Sequence, residues 1–200
     1  MPATTEVAFE TVRTRKGLDR RERILAAATV LFRENGYHAT GIDEIGEAAG
    51  ITGPGIYRHF SSKDAILMTA FDRIWLRLRE SISVASELEP QEALVLLVET
   101  HVDLVVDNRT ATTLLLQELR SLPENYQAKA TRNAATYRDA WANAIVKKNP
   151  ALSLDEGRLM AGSCFWLINA FDGDPIAQSI SQDRAKYLLA EMAYAALAVR

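Results

Sequence analysis

The groups best suited to chemistry in this chain are concentrated in its first third. Arg13, Arg15, Lys16, Arg20, Arg21 and Arg23 form a short basic run, and the natural partner of charge at that density is an anion such as a phosphate backbone. Residues 11–63 carry nine basic side chains against six acidic ones, whereas residues 76–200 carry thirteen against sixteen. The positive excess is therefore local, and the net charge of −3 argues against a protein that coats nucleic acid indiscriminately. Gly50–Gly55 has the glycines of a phosphate-cradling loop, but no strand precedes it and the P-loop lysine is missing from its spacing. His38, His59 and His101 lie far apart without ligand spacing, and no nucleophile–base pair is visible. Catalysis, a metal and a cofactor are not expected. Cys164 is the one cysteine; inside an apolar helix it is expected to be a buried small hydrophobe, and its solitude fits a reducing cytoplasm.

The elements that hold these groups are read from the apolar pattern. With 48% hydrophobic and 24% charged residues, the chain has an ordinary globular composition. Its apolar runs, such as Ala93–Val98, fall far short of the ~20 residues that cross a bilayer. The first twenty residues lack an apolar core, so neither a secretory signal nor a membrane partner is expected. Apolar residues recur at helical spacing throughout and strand signals are almost absent. Ile24, Leu25, Ala28, Leu31 and Phe32 make one stripe, opened by an Asp19…Glu22 capping pattern and closed at Asn35-Gly36. Thr40 caps a short helix that ends at Gly50, Thr52 caps another to about His59, and Ser61 with Asp64 opens a longer one. Further helices are predicted near 91–106, 111–122, 125–148, 154–171 and 182–199, with a break at Asp172-Gly173-Asp174-Pro175. The expectation is an all-α chain of about nine helices: a basic arm (1–19), a three-helix head (20–66) and a larger helical domain (67–200).

The stretch from Thr40 to Lys63, TGIDEIGEAAGITGPGIYRHFSSK, has helix-turn-helix geometry: an eight- or nine-residue helix, a glycine turn and a second helix. Ile42, Ile45, Ala48 and Ala49 pack the first helix inward, with Ile51 plugging the turn. Phe32, Gly36-Tyr37, Thr40, Ile45-Gly46, Ala49-Gly50, Tyr57, His59-Phe60 and Lys63 also stand in the order and spacing of the tetracycline-repressor (TetR) family, which residues 20–67 resemble closely. The remainder is similar to that family only in being helical and of suitable length.

That resemblance implies a dimeric, DNA-binding repressor released by a small ligand. It places Thr40 at a helix start, with its hydroxyl and N–H on a phosphate. Tyr57 and His59 reach toward the DNA backbone, Lys63 adds charge, and Phe60 anchors the core. Thr52 and Arg58 are the candidates for base-edge or further phosphate contacts. Gly53 and Gly55 depart from the pattern, since relatives often carry a long polar residue near position 53. Two glycines offer no side chain for reading, so recognition is expected to use close backbone approach and DNA shape.

In the larger domain, His101, Gln117, Arg120, Tyr137, Arg138, Trp141, Trp166 and Asn169 are polar or aromatic groups within apolar helices, the make-up of a ligand cavity. The surplus of Leu, Val, Ala and aromatic residues suggests a large lipophilic effector, a fatty acyl or acyl-coenzyme A compound. The resemblance implies that the last two helices pair with a second copy in a four-helix bundle. Leu159, Gly162, Phe165, Trp166, Leu188 and Met192 are the expected interface residues. The expected partners are thus a duplex operator, a small effector and a second copy.

Overall fold

The computed structural model describes residues 4–173 and 179–198, with side chains from Asp19 onward except those of 109, 110, 116, 172 and 173. The phosphate contacts expected of Arg13, Arg15 and Lys16 lie outside the described side chains, and Asp174-Pro175 lies outside the described backbone. Among the described residues there are nine α-helices, a single 3-10 turn and no strand. None of these helices is long and apolar enough to cross a membrane. The chain divides into two compact units, Met1–Phe71 and Asp72–Arg200.

The first unit holds α1 (Thr4–Asn35), α2 (Ile42–Ala49), α3 (Gly53–Ile56) and the beginning of α4 (Lys63–Ala85). Because α1 starts at Thr4, the Asp19…Glu22 pattern lies inside a helix and does not open one. The expected apolar stripe is the buried face of α1: Ile24, Leu25, Ala28 and Phe32 meet Ile45, Ile56, Phe60, Ile66, Leu67 and Phe71 in one core. Gly36, at φ +86°, turns the chain out of α1, a conformation that costs glycine nothing. Ala48, expected inside, is exposed.

Capping differs from expectation by single residues. Gly41 is the N-cap of α2, and its N–H donates to the Glu44 carboxylate at 2.7 Å. At the start of α4 it is Ser62, not Ser61, whose hydroxyl accepts from the Ala65 N–H at 3.1 Å. The turn after α2 is as the sequence predicts. Gly50 is left-handed at φ +67°, its N–H donates to Glu47 O at 3.0 Å, and the Ile51 N–H donates to Gly46 O at 2.9 Å. Those two bonds close the helix end as a Schellman motif, satisfying carbonyls that would otherwise be orphaned.

The second unit continues α4 from Asp72 and adds α5 (Pro90–Asp107), α6 (Arg109–Glu118), a 3-10 turn (Leu119–Ser121), α7 (Glu124–Lys148), α8 (Leu154–Gly173) and α9 (Gln182–Leu197). The breaks fall at Asn108, Pro123 and Asn149-Pro150, in the gaps between the helices expected near 91–106, 111–122, 125–148 and 154–171. α5 is the central helix and packs on α7, α8 and α9; Leu94, Leu97, Val98, Val102 and Val105 are its buried face. α7 and α8 approach closely at Gly157, where a Cβ would stand 3.0 Å from Ala142 O and Val146 Cγ2. Cys164 is buried here, and burial pushes its thiol up to about 11, the behaviour of an inert core cysteine.

Candidate nucleic-acid interface and effector cavity

The helix pair α2–α3 is built around two glycines. A Cβ on Gly46 would lie 3.0 Å from Gly53 N and Ile51 O, and 3.2 Å from Thr52 C. A Cβ on Gly53 would lie 3.0 Å from Asp43 Cγ and collide with the carboxylate itself. Gly53 is buried, and its smallness serves the packing of α3 against α2. α3 is also shorter than predicted: it covers Gly53–Ile56, and the chain continues to His59 as turns.

This arrangement divides the sequence-predicted residues into two groups. Thr52, Pro54, Tyr57 and Arg58 are exposed, Tyr57 to 58%; Gly55 and His59 are half-buried. Thr40 and Lys63 face the protein. Thr40 is buried, its Oγ1 lies 2.9 Å from Gly36 O and 3.2 Å from Leu31 O, and its N–H donates to Gly36 O. Neither its hydroxyl nor its N–H is free for a phosphate. Lys63 donates to the carbonyls of Tyr37 at 2.7 Å, Thr40 at 3.0 Å and His38 at 3.3 Å, and its ammonium sits 4.5 Å from the Tyr37 ring centre. Three N–H donors on three carbonyls exhaust an ammonium, so Lys63 clamps the turn after α1. Sequence reasoning missed Arg21 as an anchor. Its guanidinium donates to His59 O at 2.5 Å and stacks 4.0 Å over Phe60, fixing the chain just beyond α3.

In the second unit an aromatic cluster forms where α5, α7 and α8 meet. Phe165 stacks on His101 (ring centres 4.9 Å apart) and on Tyr137 (5.4 Å), and meets Trp141 edge-on at 4.9 Å. Beside it lies a cavity of about 270 Å³ bounded by α4 to α8. His101, Tyr137, Arg138, Trp166 and Asn169, singled out in the sequence as polar or aromatic groups in apolar helices, are among the residues that line it. Trp141 forms the layer behind and is fully buried. Gln117 and Arg120 are exposed and outside the lining, because that face of α6 and its 3-10 extension looks to solvent. Ile74, Trp75, Leu78, Thr112, Leu115 and Phe165 are also part of the wall. Trp75 and Leu78 carried no polar or spacing signal that would have separated them from core residues.

The cavity wall is electrically unusual. Trp75 Nε1, Tyr137 Oη and both His101 ring nitrogens are buried and make no hydrogen bond of ordinary geometry within the protein, although Trp141 acts on the phenol oxygen. Burial holds the His101 imidazole down to about 4, opposed in part by the nearby Asn169 amide. Burial also pushes the Tyr137 phenol well above its ordinary range. Both groups are neutral at pH 7. A larger groove of about 470 Å³, bounded by α4, α5 and α7, includes Asp139, but the Arg158 guanidinium 2.8 Å away already engages it and holds its carboxyl below the usual range.

On α8 and α9, Leu159, Trp166 and Met192 are exposed to 70%, 78% and 47%. Leu188 is half-buried, and Gly162 lines the cavity with open space where a Cβ would be. Phe165, expected at a dimer interface, is half-buried and stacks within the aromatic cluster.

Comparisons with known proteins agree with this architecture. Residues 24–69 match the model "Bacterial regulatory proteins, tetR family", and residues 87–167 match "Tetracyclin repressor-like, C-terminal domain". The chain is 44% identical over 55 residues to the transcriptional activator FasR of Mycolicibacterium smegmatis, a match covering 28% of this chain and 25% of FasR. It is 31% identical over 131 residues to the transcriptional repressor KstR2 of Rhodococcus jostii, covering 63% of each. The matches thus span less than two thirds of these relatives. The solved structure of AibR in complex with isovaleryl coenzyme A and operator DNA superposes with a TM-score of 0.72 at 19% identity, over 86% of this chain and 97% of AibR. With two family models spanning more than half of its 200 residues and one helical fold throughout, the chain belongs to the TetR family of bacterial regulatory proteins.

Proposed function

We propose that this regulator is a repressor that binds a palindromic operator as a homodimer and is released by a small lipophilic effector of the fatty acyl or acyl-coenzyme A kind. The observation that carries the DNA reading is the outward set Thr52, Pro54, Tyr57 and Arg58, mounted on a helix pair locked at Gly46 and Gly53. A rigid pair presenting a hydroxyl, a phenol and a guanidinium to solvent suits phosphate and base contacts in a major groove. The exposed apolar Leu159, Trp166 and Met192 favour pairing of α8 and α9 with a second copy. Such a dimer would space two reading heads about 34 Å apart, one turn of duplex. The largely apolar cavity lined by His101 and Tyr137 favours a ligand in the second unit, and AibR, of similar fold, is known with a coenzyme A ester and operator DNA bound. Linkage requires that operator and effector weaken each other's binding by the same factor. The protein would work in the cytoplasm, beside the chromosome, with no reaction to catalyse.

The test is a mobility-shift titration with DNA from upstream of the chain's own coding region, with and without acyl-coenzyme A esters, alongside sedimentation of the free protein. Retardation of that fragment over a scrambled one, release by an ester and a dimer mass are expected. Equal affinity for any duplex, or turnover of the ester, would overturn the reading. FasR is named an activator and KstR2 a repressor, so the sign of regulation is read from a reporter fused to the bound promoter, where deletion of the regulator should raise expression.

A further inference from the structure

We infer that the cavity beside the aromatic cluster recognises an uncharged carbonyl group on a compact apolar frame, with Tyr137 Oη–H and Trp75 Nε1–H as donors and His101 as the third polar contact. The inference rests on the reading that the second unit binds an effector, and specifies that effector's chemistry.

Trp75, His101 and Tyr137 are each more than nine-tenths buried, make no hydrogen bond of ordinary geometry within the protein and line the same cavity, while Asn169 acts on His101 and Trp141 on the phenol oxygen of Tyr137. A buried donor left unsatisfied is costly to a fold, and native proteins seldom keep one, let alone three on one wall. The cost is offset when a ligand supplies acceptors. Trp75 is a donor only, Tyr137 donates when its phenol is protonated, and neutral His101 offers one N–H and one lone pair. The wall therefore asks for acceptor oxygen with at most one donor. Among the described residues lining this cavity Arg138 is the one charged side chain, and it is exposed. A carboxylate lodged against Tyr137 and Trp75 would lose its hydration and gain no buried cation, a large penalty. A ketone, lactone or thioester carbonyl meets the same donors without that penalty. The remaining wall, with Ile74, Leu78, Leu104 and Val105, suits a hydrocarbon frame. At about 270 Å³ the space falls just below the roughly 300–1,000 Å³ of drug-sized sites, which limits an acyl ligand to a short chain.

Calorimetric titration and thermal unfolding of the full chain, without DNA, test this with δ-decalactone, decanoate, isovaleryl coenzyme A and stearoyl coenzyme A. The lactone or the isovaleryl ester should bind saturably, decanoate and the stearoyl ester at least about ten-fold more weakly. Which of the first two binds tighter separates a free carbonyl compound from a thioester. Tyr137→Phe and Trp75→Phe should each weaken the bound carbonyl probe about ten-fold, the worth of one good buried hydrogen bond. Neither side chain donates a hydrogen bond within the protein, so both variants should fold, and the free Tyr137→Phe protein should melt at the same or a higher temperature. Tighter binding of decanoate, unchanged affinity in both variants, or saturation by none of the probes would overturn the proposal. A carbonyl probe that binds but leaves a retarded operator fragment in place would uphold the site and remove its regulatory reading. Operator binding that no probe or variant affects would do the reverse.

Discussion

Lys63 Nζ sits 2.7 Å from the carbonyl oxygen of Tyr37, and this one bond changes what the lysine is for. A charge placed at the start of a helix following the reading head looks like a phosphate contact, yet its three donors are spent on the turn that joins α1 to α2. The Tyr37 phenol in turn donates to Asp64, beside the lysine in sequence. Lys63→Met should therefore cost stability, about 1.5–3 kcal/mol for lost charge-assisted bonds, measured by urea unfolding. Affinity for an operator should fall as a consequence of a loosened turn. Unchanged stability with a salt slope reduced by about 1 would instead mark a direct phosphate contact.

The two glycines of the helix pair should respond differently to an added methyl. At Gly46 the new Cβ meets backbone atoms of Thr52 and Gly53, which have nowhere to go, so Gly46→Ala should cost about 1–3 kcal/mol and abolish any sequence-selective DNA binding. At Gly53 the obstacle is the side chain of Asp43, which is exposed and can swing aside. Gly53→Ala should be milder by calorimetry. Equal melting temperatures for wild type and Gly46→Ala would disprove the lock.

Acid should weaken the second unit through His101. Its folded imidazole sits at about 4 against an ordinary 6.5, so below pH 6.5 the unfolded chain takes up a proton that the folded chain refuses. Stability is then full above pH 6.5 and falls between pH 6.5 and 4, by about 2 kcal/mol at pH 5. His101→Leu should flatten that part of the profile, measured by chemical denaturation at each pH. A wild-type profile level from pH 7 to 5 would contradict the burial argument.

Arg58 is exposed on the turn after α3, and under the proposed function it is a cation presented to the DNA by the reading head. Arg58→Ala should leave the melting temperature unchanged while weakening DNA binding. If it touches a phosphate, loss is uniform across sequences and the salt slope drops by about 1. If it reads a base, the loss of about 1–3 kcal/mol is confined to one operator position. No change in either measurement would remove Arg58 from the interface.

Elements and breaks were largely legible because they depend on local signals. The left-handed Gly50, the apolar face of α1 and the breaks at Pro123 and Asn149-Pro150 each follow from a few neighbouring residues. The cavity was half legible: His101, Tyr137, Trp166 and Asn169 are conspicuous as polar or aromatic groups in apolar helices, whereas Trp75 and Leu78 read as ordinary core. Gln117 and Arg120 show the converse failure, since composition cannot say which way a helix is rotated. Side-chain direction was also beyond reach at Thr40 and Lys63. A motif's spacing reports which residues stand near one another and does not report which carbonyls they already serve.

The close seating of Gly46 on Gly53 has a consequence for how such a reader diverges. With Gly46 closed to any larger residue by the backbone of Ile51–Gly53 and Ile56 buried beneath, a lineage that drifts to a new target has few letters to change. The outward positions 52, 54, 57 and 58 are open to exchange without disturbing the scaffold. Altered preference among descendants would therefore be written at those four places, or in the stiffness of the sequence being gripped.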